Sequence, residues 1–262
     1  RSDQFEMKGL AMEGRQTRVS ADKPDLYTGP ITISMQSLET QSEDAQHPPM
    51  LLEKLVLKSN VKENAGFIDI LIGYEVDSIR VGEQVFRSAH FDLALRHLES
   101  AALAELNTIS NSMNSSSESM DIAQIKPLLR PLQVLLENSP EIAIERMGMS
   151  TPQGDIKASA VVKLPNANVG NLESAAENPL LLLSLTTVLQ ADVQIALPEV
   201  LLRENLTADQ IEMLAAMIQA GYVLSQSDQL STALRYAQGN MTVNGQPLDP
   251  GMTMGGMGTG QN

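Results

Sequence analysis

Phe67–Val76 reads FIDILIGYEV. Ile68, Ile70, Ile72, Tyr74 and Val76 alternate with Asp69, Leu71, Gly73 and Glu75. Period-two alternation over ten residues predicts a β-strand with one apolar and one wetter face. The same rhythm recurs on both sides of it. Upstream, Ile31, Ile33 and Met35 alternate with Thr32, Ser34 and Gln36, and Leu51–Lys62 supplies a partner strand. Downstream, HFDLALRHL groups Phe91, Leu93 and Leu95. Glu43–Pro49 reads as a solvated connection.

Strand gives way to helix after Leu98. Ala102, Leu103, Leu106, Ile109 and Met113 follow helical spacing. NSMNSSSES reads as a joint. A second helix runs from Ile122 to Leu136, and Pro127 and Pro131 inside it predict a kink or a late start. Strands return at Glu141–Ser150 and Ile156–Leu164, joined by the turn TPQGD. Asn178-Pro179 signals the start of a short apolar helix. LQADVQIAL comes next, with Leu189, Ala191, Val193, Ile195 and Leu197 on one face. Thr207 and Gln210 form a capping box, Leu206 and Ile211 a hydrophobic staple, and Gly221 suits a left-handed C-terminal cap. The closing stretch, Leu234 to Leu248, reads as a meander. Gly239-Asn240 supplies its first reversal and Asn244-Gly245 its second, with Pro247 restricting the last strand to an edge.

The fold class predicted is α+β: a mostly antiparallel, twisted and curved sheet with helices segregated to one side. Its divisions are a β-rich region over 1–98, a helical segment over 99–139, an α+β region over 140–249 ending in the meander, and a disordered tail over 250–262.

Composition narrows the function. The 262 residues carry a formal net charge of −14, which opposes nucleic acid and anionic lipid headgroups as electrostatic targets. Cysteine is absent, which removes disulfides, thiolate metal sites and thiol nucleophiles. Aromatic residues make up 3%, so an aliphatic core filled out by 14 Met is expected. The three histidines do not make a metal site: His47 lies in the solvated connection, while His90 and His97 sit seven residues apart on one strand, on opposite faces. His97 reads as a strand-end core residue. No nucleophile elbow, zinc-protease motif or phosphate loop occurs. The expectation is therefore no catalytic, cofactor-binding or metal-binding residues.

The run GYVLSQSDQLSTALRYAQGNMTVNGQPL resembles the C-terminal signature of the YdgA family, bacterial cell-envelope proteins of unknown function. Gly221, Tyr222, Tyr236, Gly239, Asn244 and Gly245 carry it. HFDLALRHLESAALAEL and VLQADVQIALPEVLL resemble two further family segments. The resemblance spans the chain from about Ile31 onward and implies a C-terminal portion on the periplasmic side of the inner membrane. The chain starts without Met and holds no membrane span, so any anchor is expected upstream of Arg1. The family has no established catalytic residues to carry over.

Two readings of function lead, and an enzyme stays open as a third that no motif supports. One is a non-catalytic envelope protein that binds lipid or another apolar small molecule on the aliphatic face marked by Ile68, Ile70, Ile72, Tyr74, Leu189, Val193 and Ile195. The other is a structural protein that recruits another envelope protein through sheet edges or its acidic surface. A fully packed core is the plainer account of the same periodicity.

Overall fold

The alternation at Phe67–Val76 places that segment in the interior of a single large sheet. In a computed structural model, which describes residues 4–21, 23–41, 48–113, 122–165, 167, 172, 183–204 and 206–248, it forms part of β6 (Phe67–Val81). The strands before it are β1 (Gln4–Lys8), β2 (Ala11–Gly14), β3 (Thr17–Ser20), β4 (Lys23–Gln41) and β5 (Met50–Asn64). After it come β7 (Gln84–Glu99), β8 (Glu141–Thr151), β9 (Gly154–Lys163), β10 (Gln190–Pro198), β11 (Leu224–Gln226), β12 (Gln229–Ala237), β13 (Asn240–Val243) and β14 (Gln246–Pro247). The helices are α1 (Ser100–Met113), α2 (Ile122–Glu137), α3 (Leu183–Val188), α4 (Glu199–Arg203) and α5 (Ala208–Gln219).

All pairings are antiparallel, in the order β1-β4-β5-β6-β7-β8-β9-β10-β12-β13-β14. β2 and β3 extend β1 along β4, and β11 joins β12. One sheet thus runs through both the 1–98 and the 140–249 regions. Helices are inserted between its strands in sequence and packed against it in space: α1 reaches both β4 and β7, across two intervening strands. Of the NSMNSSSES joint, Asn111–Met113 continue α1 as helix rather than loop; its remainder, most of the Glu43–Pro49 connection with His47, the Asn178-Pro179 helix start and the 250–262 tail lie outside the described residues.

Two-residue turns set the registers. Ala65-Gly66, Gly82-Glu83, Pro152-Gln153 and Ser227-Asp228 each join neighbouring strands. Asn244 and Gly245, at φ 50° and 80°, link β13 to β14 with the positive φ pair of a type I′ turn. The preceding reversal is one residue earlier than the sequence suggests. Gln238 and Gly239 take φ 52° and 76°, and Asn240 opens β13 opposite Ala237. Pairing Leu234 with Val243 and Tyr236 with Met241 leaves only two residues for the turn, and these are Gln238 and Gly239.

The apolar phase slips by one residue partway along β4 to β7. Ile33 and Met35 are followed by Leu38, Val76 by Ile79, and Phe86 is followed by Ala89 and Phe91. The slip falls on a row where Lys54 and Ser88 adopt φ 52°. Gly9 lies on the same row at φ 64°, against the Gln36 side chain, where an added Cβ would come within 2.4 Å. A left-handed residue inside a strand breaks its alternation, so the backbone and the sequence pattern slip together.

α2 includes both Pro127 and Pro131 within its span, contrary to a late start. Pro131 is fully buried. Leu129 and Leu136 of this helix pack with Leu164, Leu185 and Val188 around buried Ala167 and Leu172, forming a small core of their own.

Candidate functional site

The registers bring distant segments onto one face. Ile72, Leu93, Ile144, Ala160, Val193, Leu234 and Val243 lie side by side on seven neighbouring strands. A second row runs Tyr74, Phe91, Met147, Ala158, Ile195 and Thr232. Five of the residues expected on an aliphatic face, Ile70, Ile72, Tyr74, Val193 and Ile195, therefore share one surface. The other two do not belong to an open surface. Ile68 is completely buried at the end of β6. Leu189 precedes β10, and its N–H donates to the Leu185 carbonyl at 2.9 Å as the end of α3.

This face is incompletely covered. Tyr74, Met147 and Ile195 in one row, and Ile142, Val162 and Met241 in another, remain exposed. Toward β12 and β13 the face is roofed by α5. Thr207 caps that helix through Gln210, whose Oε1 accepts the Thr207 N–H at 2.9 Å. Leu214 is its buried anchor. The side turned to the sheet carries Met213, Ala216, Met217 and Ala220, an i, i+3, i+4, i+7 stripe. Two of the four are alanines, too short to reach the strands. The gap is an open-mouthed cavity of about 560 Å³ between this stripe and Val193, Ile195, Thr232, Leu234 and Val243, with Tyr222, Val223 and Leu248 completing its lining.

The residues of the C-terminal signature build the hinge of this roof. Beyond α5 and its C-cap Ala220, the chain turns at Gly221, φ 78°, where the Tyr222 N–H donates to the Met217 carbonyl at 2.9 Å. Asn244 Nδ2 donates to the Gly221 carbonyl at 2.9 Å, and Asn244 Oδ1 accepts the Ala233 N–H at 2.8 Å. Asn244 thereby fills the gap in the β12 ladder between β11 and β13. Thr232 Oγ1 donates to the Tyr222 carbonyl at 2.9 Å, and the Tyr236 hydroxyl to the Thr186 carbonyl of α3 at 2.9 Å. The signature thus holds the cavity's frame together.

The opposite face is charged and internally paired. Arg146 contacts Asp92 and, at 3.0 Å, Glu75, which also takes Lys58 at 2.8 Å. Arg96 spans Glu141, at 2.6 Å, and Glu145, so its guanidinium bridges over buried Ala143, and Lys163 completes the set on Glu141 at 2.9 Å. Burial works to raise the Glu141 carboxyl, but hydrogen bonds from Lys163 and Arg96 outweigh it and hold it below its ordinary value of 4.5. Glu75 is held low by Lys58 and, against partial burial, by Arg146. Folded-state values below the unfolded ones stabilise the protein above the unfolded pKa, and that contribution is lost as pH falls through the folded value. Thermal midpoints should stay level from neutral pH to about pH 5 and then fall on further acidification. Substituting Glu75→Gln and Glu141→Gln should flatten that acid limb, as read by melting curves across pH.

The two strand histidines are held separately. His90 Nδ1 lies 2.8 Å from the Ser88 carbonyl oxygen. His97 is exposed rather than a core residue. A bulge between the Ile70–Leu95 and Ile68–Leu98 pairs turns it out at φ 57°, its N–H donating to Asp69 Oδ1 at 3.0 Å and its ring edge-on to Phe67. Among the described residues no group of three or more His, Asp or Glu is placed to hold a metal, and no helix is long and apolar enough to cross a membrane.

Fold and cavity together define a one-sided antiparallel sheet protein with an apolar pocket under its penultimate structural unit. Residues 2–251 match the family model described as bacterial protein of unknown function (DUF945), and the chain belongs to that family, the envelope family that its closing signature resembles. No curated protein and no solved structure matches the chain.

Proposed function

We propose that the protein is a non-catalytic envelope protein that holds the apolar chain of a lipid or similar small molecule between α5 and the sheet. The observation that carries this reading is the cavity. Its volume lies in the range of about 300–1,000 Å³ typical of small-molecule sites. Its walls are aliphatic, thioether and aromatic, with two hydroxyl-bearing residues, Tyr222 and Thr232, of which the Thr232 hydroxyl is already engaged. No Lys, Arg, Asp or Glu lines it, so a charged headgroup would stay at the mouth. Beyond Ile195 the exposed aliphatic face continues as a surface along which a longer chain can lie. The family resemblance supports the periplasmic side of the inner membrane, with an anchor outside this chain.

Ala216→Leu tests the reading without adding charge. It fills the gap under α5, so it should raise the thermal midpoint of the unliganded protein by a few degrees while removing the rise that a neutral long-chain lipid gives the unchanged protein. An equal ligand-induced rise in both proteins would contradict the assignment of this cavity.

Recruitment of another envelope protein is the second reading. Among the described residues the closing meander is poorly suited to it, because its outermost strand, β14, is two residues long and contains Pro247.

A further inference from the structure

We propose that the charged face carries a second binding site, a trough across β7 to β12 that takes a neutral, hydroxyl-rich ligand of the saccharide class. Its position follows from the registers. His90, Gly148, Lys157, Ala196 and Ser231 lie side by side on neighbouring strands. A parallel row holds Ser159, Gln194 and Ala233. Between the two rows run Ala158, Ile195 and Thr232, whose side chains belong to the aliphatic face, so here they present backbone alone. The side chains flanking this strip are mostly short: Ser159, Ala196, Ser231 and Ala233. Arg146 on β8 rises at one end and Leu224 on β11 at the other, and the space between is an open cavity of about 520 Å³. A smaller cavity of about 260 Å³ shares His90 and Arg146 with it and continues to Lys54 on β5. Six strand spacings separate β5 from β12, so the two together extend over roughly 30 Å.

The lining selects the ligand. Across both cavities three cations, Lys54, Arg146 and Lys157, stand against three carboxylates, Glu75, Asp77 and Glu145, in a chain whose net charge is −14. Each is already paired: Lys54 with Asp77, Arg146 with Glu75 and Asp92, Lys157 with Asp155, and Glu145 with Arg96. An ionic ligand would have to break these pairs. The groups left unengaged are mainly neutral, and together they both donate and accept. Among the described residues, the Ser159, Gln194 and Ser231 side chains have no hydrogen-bond partner. With Nδ1 of the neutral His90 ring donating to the Ser88 carbonyl, Nε2 is left as an acceptor. Arg146 meets its carboxylates through Nε and Nη2 and keeps Nη1 as a donor. Hydroxyl groups, which donate and accept, match this set, and a saccharide chain carries them along the length of the trough. An extended peptide matches it less well, because β9 and β10 beneath the trough are paired along both edges and offer its main chain no ladder. Among the described residues no Trp, Tyr or Phe side chain lines the trough, so ring stacking is absent and the expected affinity is about millimolar.

Amide spectra of the isotope-labelled full chain, titrated with chitotetraose and with maltotetraose, test this. At least one of the two should shift the Ser159, Gln194, Ala196 and Ser231 amides, saturating with a dissociation constant of about 1 mM. Gln194→Ala should weaken that binding about 3- to 10-fold. Ala196→Leu fills the trough and should abolish it, while the thermal midpoint stays within about 2 °C of the unchanged protein. Ala216→Leu, in the cavity on the other face, should leave saccharide affinity unaltered, so this site stands or falls separately from lipid binding. No shift in these rows with either saccharide well above millimolar concentration, or shifts that persist unchanged in both Gln194→Ala and Ala196→Leu, would overturn the proposal. An equal response to tetra-alanine would overturn it as well, by giving the trough to a peptide.

Discussion

Leu234→Asp should cost the protein about 2–4 kcal/mol of stability and reduce binding of a neutral long-chain ligand at least about a hundredfold. Leu234 sits at the centre of the cavity floor, flanked by Val193 on β10 and Val243 on β13. A carboxylate there has no cation among the lining residues to pair with. Removing the leucine side chain also deletes packing beneath α5. The two consequences can be separated. Leu234→Ala removes the packing without a charge, and it should retain binding while losing about 2 kcal/mol. Chemical denaturation and ligand titration on the pair give the comparison. Equal affinity in Leu234→Asp and the unchanged protein would move the ligand away from this floor.

The second large effect concerns the hinge. Asn244→Ala removes a donor to the Gly221 carbonyl and an acceptor for the Ala233 N–H, and puts alanine at φ 50° in a turn that asparagine tolerates. The expected loss is about 2–4 kcal/mol. Gly221→Ala attacks the same joint from the helix side. Its φ is 78°, and the new Cβ would lie 2.7 Å from Gln246 Nε2, so the Gln246 amide must move. The two substitutions act on one contact and should be less than additive in the double variant by about 0.5–3 kcal/mol. A double-mutant cycle by urea denaturation reads this directly, and strict additivity would show that α5 and the closing turn are not coupled through Asn244. Exchange of the α5 amides should quicken in either single variant, because the roof of the cavity loses its anchor.

Local patterning made much of the fold readable. Strict alternation marked β6 and β10 because each has one wet and one apolar face, and the Asn244-Gly245 turn followed from the positive φ that its two positions require. The capping box at Thr207 and the left-handed end at Gly221 were equally local. Strand order was not local. Nothing within FIDILIGYEV or LQADVQIAL states that Ile72 and Val193 share a row, since that depends on hairpin and crossover registers summed across the sheet. The bulge that exposes His97 was hidden for the same reason: alternation from Phe91 to Leu95 continues on paper, and only pairing with β6 breaks it.

The cavity was legible in part. Val193 and Ile195 followed from alternation. The roof did not, because the helix shows itself in sequence through its ends: the Thr207–Gln210 capping box, the Leu206–Ile211 staple and Gly221. The cavity depends instead on the small members of the sheet-facing stripe, Ala216 and Ala220. Two alanines one turn apart on an amphipathic helix, facing a strand, are the signal that could have pointed to a gap. The charged face shows the converse. Arg96, Glu141 and Lys163 come from three strands widely spaced in sequence, so their network appears only once the strands are aligned. Its depressed carboxylates then predict an acid limb of stability where composition alone would point only to net charge.

Native mass spectrometry of the protein prepared from a bacterial envelope without detergent washing tests the central claim most directly. The expected species is a complex heavier than the chain by one apolar molecule, released on activation, and absent from Ala216→Leu and Leu234→Asp prepared alongside. A chain that arrives at its bare mass and also stays bare after incubation with neutral long-chain lipid would contradict lipid binding in this cavity.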